Sequence, residues 1–229
     1  MTILRKLLKP FFKYLIFYFA KQRNRNAKEA LSHCSSIDDL WNISKNYFEP
    51  TQIENEILPF LRYCKESKPI TICEIGVERG GTNFLLTHFS SSVKTILGVD
   101  VILKNGSFLK FLSNGKAKYV EGFSNHPATV AKIKRLLNNS SIDLLFIDGD
   151  HSYEGVKRDF QLYSPLVSRN GIIAFHDIVQ DHAIRFGIDT SSCSGGVPTF
   201  WKEIKQEYRH KEFVNSPGQD GFGIGLIHI

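Results

Sequence analysis

The chain has 229 residues, 42% hydrophobic and 23% charged, the profile of an ordinary soluble globular protein built as one domain, or as one domain with a decoration. That composition excludes disorder, collagen-like repeats and a multi-span membrane protein. The formal net charge of +6 is unevenly spread: seven of the 29 Lys and Arg residues (Arg5, Lys6, Lys9, Lys13, Lys21, Arg23 and Arg25) lie in the first 25 positions with no acid among them, so the other 22 face 23 acidic residues and give no argument for binding nucleic acid.

The chain begins with that basic segment. Pro10–Ala20 is very apolar but too short to span a bilayer, which takes about 20 apolar residues. It has no small-x-small site of the kind that ends a signal peptide. Leu4, Leu8, Phe11, Leu15 and Phe19 step by three or four, and Arg5, Lys9 and Lys13 step by four. On a helix these form an apolar face and a basic face. Such a helix lies on an anionic membrane surface or packs on its own domain or a partner subunit, and the spacing leaves both open. Cys34, Cys64, Cys73 and Cys193 form no C-x-x-C pair, which fits a reducing cytoplasm. The location expected is therefore cytoplasmic, peripheral on the inner face of the membrane if the helix meets lipid.

Residues 21–50 read as a polar connector with a short helix near Ile37–Asn46, and Glu54–Cys64 as a helix. Strands and helices then alternate. Strands are expected at Ile70–Ile75, Thr95–Val99, Lys118–Val120, Ile142–Ile147 and Ile172–Phe175. Helices are expected at Thr82–Phe89, Pro127–Asn138, Tyr153–Leu166 and Thr199–Tyr208, and closing strands at Glu212–Val214 and Phe222–Ile229. This is an α/β pattern: a doubly wound, mostly parallel Rossmann-like sheet of about seven strands, its last pair partly antiparallel, with an N-terminal helical extension. The chain divides into a basic segment (1–25), a helical lead-in or lid (26–68) and the α/β domain (69–229).

In such sheets ligands bind beyond the carboxyl ends of the strands. Four strands end there on polar groups: Glu74–Gly76, Asp100, Asp148 and His176–Asp177. Gly76, Gly80, Gly81 and Thr82 form a glycine-bearing turn into a helix, whose free N–H groups suit an anion. Asp100 ends the next strand, where an acid accepts hydrogen bonds from ribose hydroxyls. Asp148, His176 and Asp177 can surround one divalent cation, Mg²⁺ by the carboxylates or Mn²⁺ by the histidine. His151 stands near them as a general base.

These residues carry a family resemblance. FIDGDHSYEGVKRDFQLYSPLV followed by GIIAFHDIV, together with EIGVERGGT, PATVAKIKRLL and GGVPTFWKEI, resembles the class I S-adenosylmethionine-dependent methyltransferases. It is closest to the bacterial branch of macrolide-sugar O-methyltransferases and cephalosporin hydroxylase-like proteins. The resemblance runs from Pro69 to the C-terminus. It implies S-adenosyl-L-methionine as cofactor, held by Glu74, Gly76, Gly80, Gly81, Thr82, Asp100, Ser124 and Asp148. It implies a divalent metal on Asp148, His176 and Asp177, with His151 and Asp148 catalytic. His176 stands where the branch has an acid, with Asp150 as a compensating group. Phe123 replaces a polar residue near the adenine, which leaves that contact to Ser124 and apolar packing.

The implied activity is O-methylation of a sugar, glycan or glycolipid hydroxyl, by in-line displacement at the sulfonium methyl. A vicinal diol can chelate the metal through two oxygens. Two alternatives stay open: a noncatalytic cofactor-binding protein with a decayed metal site, and a nicotinamide-dependent oxidoreductase. The latter lacks G-x-G-x-x-G spacing and leaves Asp148, His151 and Asp177 unexplained. Oligomeric state is open, a homo-oligomer included.

Overall fold

The computed structural model describes residues 18–229. The helical reading of Met1–Arg25 therefore falls largely outside the described residues. The first described helix, α1, covers residues 18–32. There Ala27 is fully buried and Arg23 lies over the Phe108 ring at 4.0 Å while donating to the Tyr47 carbonyl, so this stretch packs on the protein. Tyr18 and Phe19 stay exposed. None of the described helices is long and apolar enough to cross a membrane.

Helix α2 (Ile37–Phe48) starts with a capping box in which Ser36 and Asp39 satisfy each other's backbone N–H groups. It buries Leu40, Trp41, Ile43 and Phe48, each side chain stabilising by roughly 1.5–3 kcal/mol. The polar connector expected over residues 21–50 is thus mostly helix, because one face of each helix finds apolar cover. Helix α3 (Glu54–Glu66) follows, and then the alternating part: β1 (Thr71–Ile75), α4 (Gly81–His88), β2 (Thr95–Asp100), α5 (Gly106–Leu112), β3 (Ala117–Glu121) and α6 (Pro127–Leu137). Next come β4 (Ile142–Ile147), α7 (Tyr153–Tyr163), a 3₁₀ turn at Ser164–Leu166 and β5 (Val167–His176). The chain closes with α8 (His182–Phe186), α9 (Val197–Ile204), β6 (His210–Phe213) and β7 (Ile224–His228).

The seven strands form one sheet in the order β3-β2-β1-β4-β5-β7-β6. Neighbours from β3 to β5 run parallel, and β7 pairs antiparallel with both β5 and β6. The α/β class, the mostly parallel sheet and the antiparallel close agree with the sequence. Central strands β1 and β4 are buried along almost their whole length because helices cover both faces. Phe48, Phe60, Phe84 and Phe108 pack on one face, and Val130, Tyr163, Phe200 and Trp201 on the other.

Further along the chain, α5 and α8 are unexpected, α9 ends at Ile204 rather than Tyr208, and β5 starts early. Helices α5 and α8 are short, and few periodic residues announce them. Strand β5 begins at Val167 rather than Ile172, because a register irregularity between Ile142 and Leu144 accommodates the polar Ser168–Asn170 stretch.

Candidate functional site

The carboxyl ends of β1, β2, β4 and β5 open into a cavity of about 530 Å³, within the size range of ligand sites. Gly76, Asp100, Ser124, Asp148, His151, His176 and Asp177 line it. A second cavity of about 20 Å³ lies at the glycine turn, among Gln52, Gly76, Gly80, Gly81, Thr82 and Asp148. Seven positions singled out from sequence therefore meet in one cavity, and Gly80, Gly81 and Thr82 sit in its small neighbour.

The glycines are there for closeness. Gly76 has φ +86° and runs so near β4 that a Cβ would stand 1.8 Å from the Asp148 carbonyl oxygen. Gly80, at φ +92°, is the N-cap of α4, whose first turn contains no acid, a helix start of the kind that suits an anionic group. Asp100 holds two backbone N–H groups, Glu78 at 2.7 Å and Ile102 at 2.9 Å, so its carboxylate fixes the shape of the loops beside it.

Glu74 is placed differently. It is fully buried and lines neither cavity. Its Oε2 accepts from Asn83 Nδ2 at 2.7 Å, and Tyr119 donates to Asn83 Oδ1 at 2.6 Å. Burial pushes its carboxyl well above the usual range. Glu74 thus supports α4 from within the core and stands back from the ligand cavities.

The polar centre is compact. His176 Nδ1 lies 3.1 Å from Asp148 Oδ1 and 3.4 Å from Asp177 Oδ2. His151 Nε2 lies 3.4 Å from Asp148 Oδ1, and its Nδ1 lies 3.3 Å from Asp177 Oδ2. Asp148, His151 and Asp177 form a group whose ligand atoms are all within 4.8 Å of one another. Asp150 is turned away from this group: it accepts from Ser152 N at 2.9 Å, at the entrance to α7.

The charges of the centre shape one another. Burial pushes the Asp148 carboxyl up, but His176 and His151 outweigh it and hold it at about 2. The hydrogen bond that His151 donates to the Asp148 carboxylate raises it to about 9 against burial. Burial pulls His176 down, but Asp148 and Asp177 hold it well above the usual range.

Each member is oriented by groups that sequence reading missed. Gln52, in the α2–α3 loop, donates to Asp148 Oδ2 at 3.2 Å, leaving Oδ1 for the histidines. The Cys193 carbonyl accepts from His151 Nδ1 at 2.8 Å, and the His151 carbonyl accepts from Gly196 N at 2.7 Å. Gly195, at φ +56°, passes so close that a Cβ would stand 2.3 Å from the His151 carbonyl oxygen. The paired glycine of GGVPTFWKEI was the one available signal. Asp177 itself has φ +61°, a strained conformation of the kind that clusters at functional sites.

Comparison with known proteins bears on what this cavity is. Residues 73–178 match the family model described as a methyltransferase domain. That span runs from β1 to just beyond β5 and holds every polar group of the centre. An uncharacterized protein of Acanthamoeba polyphaga mimivirus is 32% identical over 144 residues, 59% of this chain and 64% of that protein. An uncharacterized protein of Sinorhizobium fredii is 33% identical over 89 residues, 38% of this chain and 8% of its own length. The chain thus spans less than two thirds of either curated relative. In fold it is similar to the methyltransferase MycE of the mycinamycin biosynthetic pathway, solved with Mg, S-adenosylhomocysteine and mycinamycin VI. That likeness has a TM-score of 0.58 and 20% identity, over 86% of this chain and 54% of MycE. It is also similar to an O-methyltransferase from Bacillus cereus solved with S-adenosylhomocysteine, with a TM-score of 0.54 and 17% identity, over 83% of this chain and 90% of that one.

Proposed function

We propose that this chain transfers the methyl group of S-adenosylmethionine to a hydroxyl of a sugar or glycan-type acceptor, assisted by a divalent cation and a histidine base. The observation that carries this reading is the meeting of the glycine turn, Asp100 and the Asp148–His176–Asp177 centre along one cavity, inside a stretch that matches a methyltransferase domain. The glycine turn and the start of α4 receive the methionine portion. Asp100 receives the ribose. Ser124 and the exposed ring of Phe123 flank the adenine.

Two carboxylates with an imidazole make a donor set for a small divalent ion, which would displace the proton that Asp148 and Asp177 hold on His176. Adjacent ligand atoms of an octahedral ion at 2.0–2.1 Å stand about 3 Å apart. A single nitrogen, His176 Nδ1, stands 3.1 and 3.4 Å from one oxygen of each aspartate. Mg²⁺ suits the two carboxylates, and the imidazole leans toward Mn²⁺. When bound, the cation lowers the pKa of the acceptor hydroxyl. His151 has its Nδ1 tied to the Cys193 carbonyl and its Nε2 3.4 Å from Asp148 Oδ1, so Nε2 would take the hydroxyl proton once a cation on Asp148 offsets the negative charge that keeps His151 protonated. Cavity walls that held the acceptor oxygen in line with the sulfonium methyl would supply much of the rate by orientation. MycE, similar in fold, was solved with Mg and mycinamycin VI, which agrees with a small-molecule acceptor beside a cation.

We further propose that the basic residues before Tyr18 meet an anionic membrane surface, while Arg23 packs on the protein, which favours a cell-envelope glycan or glycolipid as acceptor. Deleting residues 1–17 then releases the protein from anionic liposomes with S-adenosylhomocysteine binding intact.

Methyl transfer from labelled S-adenosylmethionine to a panel of glycosides, with Mn²⁺ or with a chelator, tests the activity. Asp148→Ala and His151→Ala are expected to abolish turnover while cofactor binding survives. His176→Ala is expected to lose cation binding that His151→Ala retains. The opposite split exchanges the two histidines' roles, and unchanged turnover in the variants removes them.

A further inference from the structure

We infer that Glu56, on α3 of the lead-in and outside the cavity, is a positioning residue for Asp177 and Phe222, and so for the cation centre; this rests on the cation reading above. Glu56 is an acid with no exposed surface, and it has a full set of partners without any cation among them. Its Oε1 accepts from Asn215 N at 3.0 Å and Gln219 Nε2 at 2.6 Å, and its Oε2 accepts from Gly223 N at 2.9 Å. All three donors belong to the 215–223 arch between β6 and β7. A buried carboxylate costs stability unless donors replace its water, and here three N–H groups of the arch replace it. The outer part of the arch is held separately, where His182 N and Ser192 Oγ donate to Asp220 and His182 bonds the Gly218 carbonyl.

What that arch holds is the centre. Gly221, Phe222 and Gly223 take φ +72°, +59° and +85° in succession, a left-handed run that includes a bulky residue and persists only where surroundings impose it. Within it, Phe222 N donates to Asp177 Oδ1 at 3.1 Å, which leaves Asp177 Oδ2 facing both histidines. The Phe222 ring stands edge-on to His176, centroids 5.9 Å apart. Val179 N donates to Phe222 O at 2.9 Å and Ile178 N to Gly223 O at 3.3 Å, so the arch also fixes the backbone just after Asp177. Glu56 holds the N–H of Gly223, the residue next to the Phe222 whose N–H Asp177 holds. The two aspartates are then set alike: one oxygen of each is taken by a neighbour, Gln52 for Asp148 and Phe222 N for Asp177, and the other is turned to the centre. The lead-in is thereby part of the site's frame.

Glu56→Gln in the full chain tests this, because the amide removes one acceptor and sets an N–H against a donor. Amide hydrogen exchange of the metal-free protein is expected to lose protection at Val179, Phe222 and Gly223, with β1 and β4 unchanged. Mn²⁺ affinity is expected to fall about tenfold, the size typical of groups that orient metal ligands. S-adenosylhomocysteine affinity stays within about twofold. Gln219→Met, which removes one donor to the same carboxylate, shifts both readouts in the same direction by less, and serves if Glu56→Gln does not fold. Unchanged protection at those amides in the folded variants overturns the inference. If the unaltered protein binds no Mn²⁺, the cation reading fails on that result alone, and the exchange pattern still decides whether Glu56 holds the arch.

Discussion

Asp148 and His176 face each other at 3.1 Å across the ends of the neighbouring strands β4 and β5. In a parallel sheet these ends share one edge, so residues 28 apart in sequence become a contact pair without any special loop. The pair is almost shielded from water, His176 at 3% side-chain exposure and Asp148 at 18%. That shielding is why each shifts the other's proton affinity so far.

Asp100 offers the first test. Its carboxylate carries the Glu78 and Ile102 N–H groups and also faces the cavity. Asp100→Asn presents an N–H to one of those donors. Stability should fall by about 1–3 kcal/mol in urea unfolding, and S-adenosylhomocysteine affinity by at least about tenfold. Unchanged affinity would remove Asp100 from the nucleoside site.

Gly195 offers a second. Alanine there carries a Cβ into the His151 carbonyl at a positive φ. Gly195→Ala should cost about 1–3 kcal/mol and displace His151. Turnover is expected to drop about a hundredfold with cofactor affinity nearly unchanged, read by kcat against a separate binding titration. A parallel loss of both would place His151 in the cofactor site.

Asp159, on α7, offers a test by pH. It is 1% exposed, and burial, only weakly opposed by the nearby Ser124 hydroxyl, pushes its carboxyl up to about 6. The unfolded chain releases this proton near pH 4 and the folded one near 6, so between them the folded state binds more protons. Stability therefore falls as pH rises through that window and stays lower above it. Asp159→Asn should be more stable at pH 7 by up to about 3 kcal/mol and unchanged near pH 3.5. Equal stability of the two proteins at pH 7 would show that Asp159 has a partner when ionised.

Much of this frame is legible in the chain. β-branched runs such as ITICEI and IDLLFI end on acids, and a parallel sheet brings those ends together, so Gly76, Asp100, Asp148 and His176–Asp177 could be gathered from sequence alone. Glu74 shows where that logic stops. It belongs to the same strand end, but its side chain turns into the core toward Asn83, an orientation that strand position does not decide. Gln52, Glu56 and the Cys193 carbonyl were invisible for a different reason. Their partners lie 96, up to 167 and 42 residues away and are reached through loops whose path follows no periodicity. Helix α5 was missed because Phe108, stacked on Phe48 at 5.2 Å, secures a seven-residue helix that its own sequence hardly favours.

The central claim is that this cavity takes S-adenosylmethionine beside a cation centred on Asp148. Calorimetric titration of the full chain with S-adenosylhomocysteine, NAD and Mn²⁺, repeated on Asp148→Asn, tests it most directly. The account predicts that S-adenosylhomocysteine and Mn²⁺ bind, that NAD does not, and that Asp148→Asn loses Mn²⁺ while retaining the nucleoside. Binding of NAD in place of S-adenosylhomocysteine, or Mn²⁺ affinity indifferent to Asp148→Asn, would contradict it.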